Sequence, residues 1–323
     1  MRRFVSTLLL VLLVAALADA SAAPDDASSS VDESQLNDGV GSSRTNKTLV
    51  VVIGSLRGGE LAWRSMYAHL LDLNSADLAI TISNDALNAT TASLVRRARY
   101  VWTHEEYEDW GDALDQMGGN GTWRSIASKN NATIQGNGFL GGTRESPRGS
   151  GAIIFYFRWF ISKHIRRLQL HESYDRFVIT RSDHYYGCAH DLSALDPRWV
   201  WIPEGKSWRG YTDRHVVASK RDLFKVLNIL PPLVRHPERY EHFIGSPESF
   251  IKLRWTQQSL QVRRFPRMMF TCAAPGDGTR WKPMSPEVVA EGVHLKYRDE
   301  YDQTKHVCDS LPRGGVRGTR SGF

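Results

Sequence analysis

Apolar positions in this chain fall into short continuous runs, separated by stretches with helical spacing. Residues 48–53, "TLVVVI", form a near-continuous apolar run of the kind that marks a strand buried on both faces of a parallel sheet. Gly54, Ser55, Gly58 and Gly59 follow as a turn, and "ELAWRSMYAHLLDL" then takes up a helical period. Strand, glycine turn and helix make the first half of a βαβ unit. Runs at 76–83, 98–105, 176–180 and 198–205 predict further strands, and "QVRRFPRMMFTC" another. Residues 151–172 predict a long helix, apolar on one face and basic on the other. "VVASKRDLFKVLNIL" predicts a short strand or turn and then a helix stopped by Pro231 and Pro232, and Ser246-Pro247-Glu248 suits a helix start. Residues 106–150, rich in Gly, Asn, Ser and Thr, predict a long loop region with a short helix near Trp110, a functional lid or an insertion.

This alternation predicts an α/β fold, a single domain over residues 48–311 with a mostly parallel central sheet flanked by helices. The ends read differently. Residues 1–20 pair two arginines with an apolar stretch from Phe4 to Ala18 and small residues near Ala20, the layout of a cleaved signal peptide. That stretch is shorter than the ~20 residues of a spanning helix, so an uncleaved signal anchor is the weaker alternative. A Ser/Asp-rich linker is expected over 21–47, and a basic, glycine-rich disordered tail over 312–323. Four N-x-[ST] sequons, at Asn46, Asn88, Asn120 and Asn131, suit passage through the secretory pathway, to the Golgi or ER lumen or outside the cell. The three cysteines, Cys188, Cys272 and Cys308, are too few for a disulfide-stapled miniprotein; Cys272 with Cys308 is the expected bridge.

The net charge of +6 is concentrated in the middle of the chain. Residues 151–270 hold 20 Lys and Arg against 11 Asp and Glu, an excess of nine. A solvated basic face accounts for this, as does a phosphate-bearing partner such as a nucleotide diphosphate. Nucleic acid fits poorly with secretion, and no motif for it is present.

The densest chemistry lies where the strand at 176–180 ends, in Arg181-Ser182-Asp183-His184. Ligands of open α/β sheets bind beyond the carboxyl ends of strands. A carboxylate and an imidazole there can hold a divalent cation; Mg²⁺ prefers the oxygen, and Mn²⁺ accepts imidazole more readily. Such an ion would bridge two phosphates and neutralise a departing diphosphate, and Arg181 could supply part of that charge itself. The plainer reading is that Asp183 pairs locally with Arg181.

Taken together, "VVVIGSLRGGE", "YDRFVITRSDHYY", "GYTDRHVVASKRD" and "PESFIKLRW" resemble the nucleotide-sugar-dependent glycosyltransferases of the GT-A fold. The nearest likeness is to poorly characterised lumenal and lipopolysaccharide-synthesis-type families. The resemblance implies a hexosyl or pentosyl transferase that moves a sugar from a nucleotide-sugar donor to a glycan, lipid or protein acceptor. A membrane enters only if the N-terminal segment stays uncleaved. It implies donor contacts from Ser55, Arg57, Gly58, Gly59, Arg158, Arg181 and Asp183, with Asp183 and His184 as metal ligands. Position 181 is Arg where the family's D-x-D has its first Asp, so Mn²⁺ or Mg²⁺ dependence and metal-independent catalysis both stay open. Asp213 and Glu248 are the implied candidates for the base that takes the acceptor's proton. Tyr185, Tyr186, Trp199 and Trp201 are core residues or sugar-stacking faces. The alternative from another class is a non-catalytic carbohydrate-binding or interaction protein on a decayed fold of this type; a secreted hydrolase lacks any matching signature.

Overall fold

Strand β1 (Thr48–Val52) is buried along its whole length, as its apolar run requires. Its alternate residues serve two cores. Leu49 and Val51 join Phe155, Phe177 and Trp255 on one side, while Val50 and Val52 join Trp63, Met66 and Phe270 on the other. In the computed structural model, which describes residues 47–89, 91–118, 121–134, 138–277 and 291–311, these belong to one compact unit. The expected signal segment, nearly all of the linker, the tail, and the sequons at Asn46 and Asn120 lie outside the described residues. No helix among the described residues is long and apolar enough to cross a membrane.

Among the described residues the remaining strands are β2 (Asp77–Ser83), β3 (Tyr100–His104), β4 (Arg176–Thr180), β5 (His184–Tyr186), β6 (Val200–Pro203), β7 (Val216–Ser219), β8 (Val262–Phe265), β9 (Met269–Ala273) and β10 (His294–Leu295). Seven of them form a central sheet in the order β3-β2-β1-β4-β7-β6-β8, mostly parallel and flanked by helices. β7 runs antiparallel to β4, with Ile179 opposite Val216. This matters for function: an antiparallel neighbour starts where β4 ends, so residues just before β7 lie beside residues just after β4. A second, three-stranded sheet, β10-β9-β5, continues from the same place.

Several sequence expectations need correction. Within residues 106–150 the short helix expected near Trp110 is present as Trp110–Asp115, but the described residues also carry a second helix, Trp123–Thr133, and Trp110 and Trp123 are core residues, so they are packed rather than a loose loop. Their Gly- and Asn-rich composition hid widely spaced aromatic anchors. Arg124 ties this region together through Asp109, Asp112, Asp115 and Glu145. Pro231 and Pro232 do not stop a helix but open one, Leu230–Arg235, where the missing N–H groups cost nothing. The run at 261–272 is two strands in different sheets, β8 and β9. The helix begun at Gly151 ends at Arg167; Gln169 is left-handed with φ 52° before a short turn, Leu170–Ser173. The C-terminal helix Arg298–Ser310 had no expectation at all.

That last helix also corrects the disulfide. Cys308 bonds Cys188, with Cα atoms 5.5 Å apart, and Cys272 is a buried free thiol. Cys272 sits inside β9 with its side chain in the core, whereas Cys188 leaves β5 directly under the helix. Gly187 is so close to that helix that an added Cβ would lie 2.8 Å from Thr304 and 3.2 Å from the Cys308 sulfur. The bridge closes a separation of 120 residues, so Cys308→Ser is expected to cost about 2–5 kcal/mol of stability. A thiol count in denaturant without reductant should give one per chain; three would contradict the bridge.

Candidate active site

The turn after β1 is held by the segment after β4. The Ser55 carbonyl accepts a hydrogen bond from the Ser182 hydroxyl (2.8 Å), and the Arg57 amide donates to the same Ser182 oxygen (2.9 Å). Gly54 donates to Thr81 Oγ1 at 3.0 Å. Gly58 has φ 87°, and a Cβ there would stand 2.9 Å from the Ser182 carbonyl and 3.0 Å from the Asp183 Cα. Only glycine allows this approach together with a left-handed backbone. The two sequence motifs singled out separately, the glycine turn and Arg181–His184, therefore form one surface.

Beside it opens a cleft of about 310 Å³. Ser55, Arg57, Arg181 and Asp213 line it, joined by Glu106 and Lys296. Trp110 and Phe157 supply aromatic wall, and Ser150, Ile153 and Ile154 bring the first turn of the helix Gly151–Arg167 to the cleft. A helix start carries partial positive charge, which favours an anion.

Arg181 and Asp183 form a buried pair. Arg181 Nε donates to Asp183 Oδ1 at 2.8 Å, and Nη2 donates to Oδ2. Burial pushes the Asp183 carboxyl up, yet the Arg181 guanidinium, with help from His184 and Arg57, holds it well below the usual carboxylate range. Arg181 faces the cleft, and Asp183, 1 % exposed, stands behind it. The local pairing read from sequence and the proximity to the glycine turn are thus both present.

His184 turns away from the cleft. Its Nδ1 lies 3.1 Å from Thr180 Oγ1, in a buried group with Tyr186 and His215. Burial, with Arg181 and Arg214 nearby, lowers its pKa to about 3. Nε2 has no hydrogen-bond partner among the described residues. Among those residues, no group of three or more His, Cys, Asp and Glu side chains could hold a metal ion. A shared ion would need Asp183 to release Arg181.

The two candidate carboxylates come together. Asp213 precedes β7 and lines the cleft; its carbonyl accepts from the Arg158 guanidinium at 3.0 Å. Arg158 is buried under this loop and near Trp255, not in the cleft wall, and burial lowers its pKa to about 10 despite Asp213. Glu248, in the first turn of the helix Pro247–Gln257, is raised to about 7 by burial and then by the charge of Asp213. Gly210 makes this proximity feasible, since a Cβ there would fall 2.0 Å from the Glu248 carbonyl carbon. Gly59 starts the helix after the turn, facing Ala274.

Lys296, Glu106 and Glu300 were missed from sequence. Lys296 follows the two-residue strand β10, too short to stand out as a pattern. Burial, and then Arg181 and Arg214, lower its pKa to about 8 against the opposing pull of Asp183 and Asp213. Glu300 holds Arg214 at 2.6 Å and Arg267 at 3.4 Å, and accepts from Thr271. Burial would raise the Glu300 carboxyl, but Arg214 and Arg267 bring it to about 2. Of the candidate stacking aromatics, Tyr185 lies on Phe270, Tyr186 is fully buried, Trp199 is covered by Arg263, and Trp201 donates to the Asp196 carbonyl. None of the four lines the cleft. Of the sequons, Asn88 lies in the helix Asn84–Ala89, and the Asn131 carboxamide accepts from the Ser146 hydroxyl at 3.2 Å.

No protein-family model matches the chain, and no curated protein is significantly similar to it.

The Glu248 shift has a consequence for stability. Between pH 4.5 and about 7 the folded chain keeps a proton on Glu248 that the unfolded chain has released. Stability from this group therefore falls as pH rises through that window, by up to about 3 kcal/mol. Denaturant titrations of Glu248→Gln should show a flatter profile there than the parent. Parallel profiles would refute the raised Glu248 pKa.

Proposed function

We propose that this chain is a nucleotide-sugar-dependent glycosyltransferase of GT-A type, acting on a glycan, lipid or protein acceptor in the secretory pathway. The observation that carries this reading is the convergence of Arg57, Arg181 and Lys296 on one cleft, with Asp213 in the same wall. The sheet order, with antiparallel β7 beside β4, supports the same reading. So does the location at the carboxyl ends of β1 and β4, where open α/β sheets bind nucleotides.

In this reading the donor's diphosphate sits against the turn from Ser55 to Arg57 and the start of the helix Gly151–Arg167. The acceptor hydroxyl oxygen attacks the anomeric carbon as the bond from that carbon to the phosphate oxygen breaks. The electron pair leaves with the diphosphate, and Asp213 takes the hydroxyl proton. Arg57, Arg181 and Lys296 offset the charge that grows on the leaving group. Asp213 is assigned the base because it lines the cleft; Glu248, behind it, responds to its charge. Asp183 is a positioning residue that holds Arg181 in place. With fixed guanidinium groups in the wall, the reaction is expected to proceed without a divalent ion.

Thermal-shift measurements with UDP, GDP and CMP, each with and without EDTA, test this directly. One nucleotide should stabilise the chain, and chelation should not remove the effect. Its affinity should weaken as pH rises through about 8, where Lys296 loses its proton, and Lys296→Met should abolish that dependence. Asp213→Asn should keep nucleotide binding and lose transfer by about 10²-fold or more. Stabilisation by no nucleotide would instead favour the non-catalytic carbohydrate-binding protein.

A further inference from the structure

A second groove, of about 460 Å³, runs along the other half of the helix Gly151–Arg167, against the helix Lys220–Leu227. Residues near the start of the long helix, Ile153, Ile154 and Phe157, face the cleft, while Trp159, Lys163 and Arg166 line this groove. At 1.5 Å per residue, Ile154 and Lys163 are separated by about 14 Å along the axis. The two concavities are thus distinct sites served by one rigid element.

The groove's chemistry is one-sided. Lys163, Arg166, Lys225 and Arg235 line it, all exposed, and its lining includes no Asp or Glu. Two of these cations lie on aromatic rings, Lys163 at 4.5 Å from the Trp159 centroid and Arg166 at 3.7 Å from that of Phe224. Such contacts fix the cationic heads at the wall and present a rigid cation–ring surface. Asn228 and Gln258, hydrogen-bonded to each other at 3.4 Å, add neutral polar groups to the wall, and Ser162 adds a hydroxyl.

We propose that this groove binds an anionic oligosaccharide, a short run of sulfated or uronic-acid sugars. Cations spaced along a concave wall suit the repeated charges of such a chain. The neutral hydrogen-bonding groups between them, Ser162, Asn228 and Gln258, suit sugar hydroxyls. A membrane surface is a poorer match, since it needs an apolar or convex basic face rather than a groove. The site is separate from the nucleotide cleft and does not depend on transferase activity.

The test is a binding titration of the full chain with a heparin hexasaccharide, run beside a neutral maltohexaose and anionic phosphatidylserine vesicles. The hexasaccharide should bind, with affinity falling about tenfold between ~0.05 M and ~0.3 M salt, and maltohexaose should not. Lys163→Gln with Arg166→Gln should weaken hexasaccharide binding about tenfold, with the melting temperature and the nucleotide response unchanged. Arg235→Gln, on the opposite wall, should weaken it as well. Undiminished binding in these variants overturns the proposal. So does binding lost only on replacing Arg313, Arg317 and Arg320 in the basic tail, or a groove-dependent preference for vesicles over the hexasaccharide.

Discussion

The Ser182 hydroxyl is the fastening on which the site depends. By accepting from Arg57 and donating to Ser55, it joins the ends of the adjacent parallel strands β1 and β4 into one surface. Both bonds are partly buried, where an unmade partner costs about 1–3 kcal/mol, so the turn has little freedom to drift. Gly58 lets the backbones close to contact, and Arg57 and Arg181 are thereby brought to the same cleft. The antiparallel entry of β7 adds Asp213 from the other side.

Behind this surface lies a second layer of charge, almost fully withdrawn from water. Asp183 holds Arg181, and Glu300 holds Arg214 and Arg267. Buried pairs of this kind add little net stability, because desolvation offsets much of the attraction. Their effect is to fix where the cations stand. A cleft whose positive groups are already in position needs little reorganisation when an anion arrives or a leaving group gains charge. Lys296 is lowered first by its burial and then by Arg181 and Arg214 of the same surroundings.

Much of the fold was legible from periodicity. The buried run of β1, the glycine turn, the helix from Gly151 and the strand β4 are local patterns strong enough to survive tertiary context. The ends of the chain's logic were less so. Trp110 and Trp123 anchor a region whose composition looked loop-like, and the two-residue β10 carries too little pattern to announce Lys296. The Cys188–Cys308 bridge depends on how β5 meets the last helix, a contact with no sequence signature. Within the site, Ser55, Arg57, Arg181 and Asp213 were nameable because they sit at strand ends. Arg158 and His184 have the right spacing but are directed into the interior, and spacing alone does not give the side on which a residue falls.

Under the proposed function, Arg57 and Arg181, pinned together through the Ser182 segment, receive a diphosphate. The most direct check is a crystal structure with whichever nucleoside diphosphate stabilises the chain. Phosphate oxygens are expected within hydrogen-bonding distance of both guanidinium groups, with the Ser182 contacts intact. A nucleotide bound elsewhere, or one whose phosphates leave both arginines untouched, would contradict it.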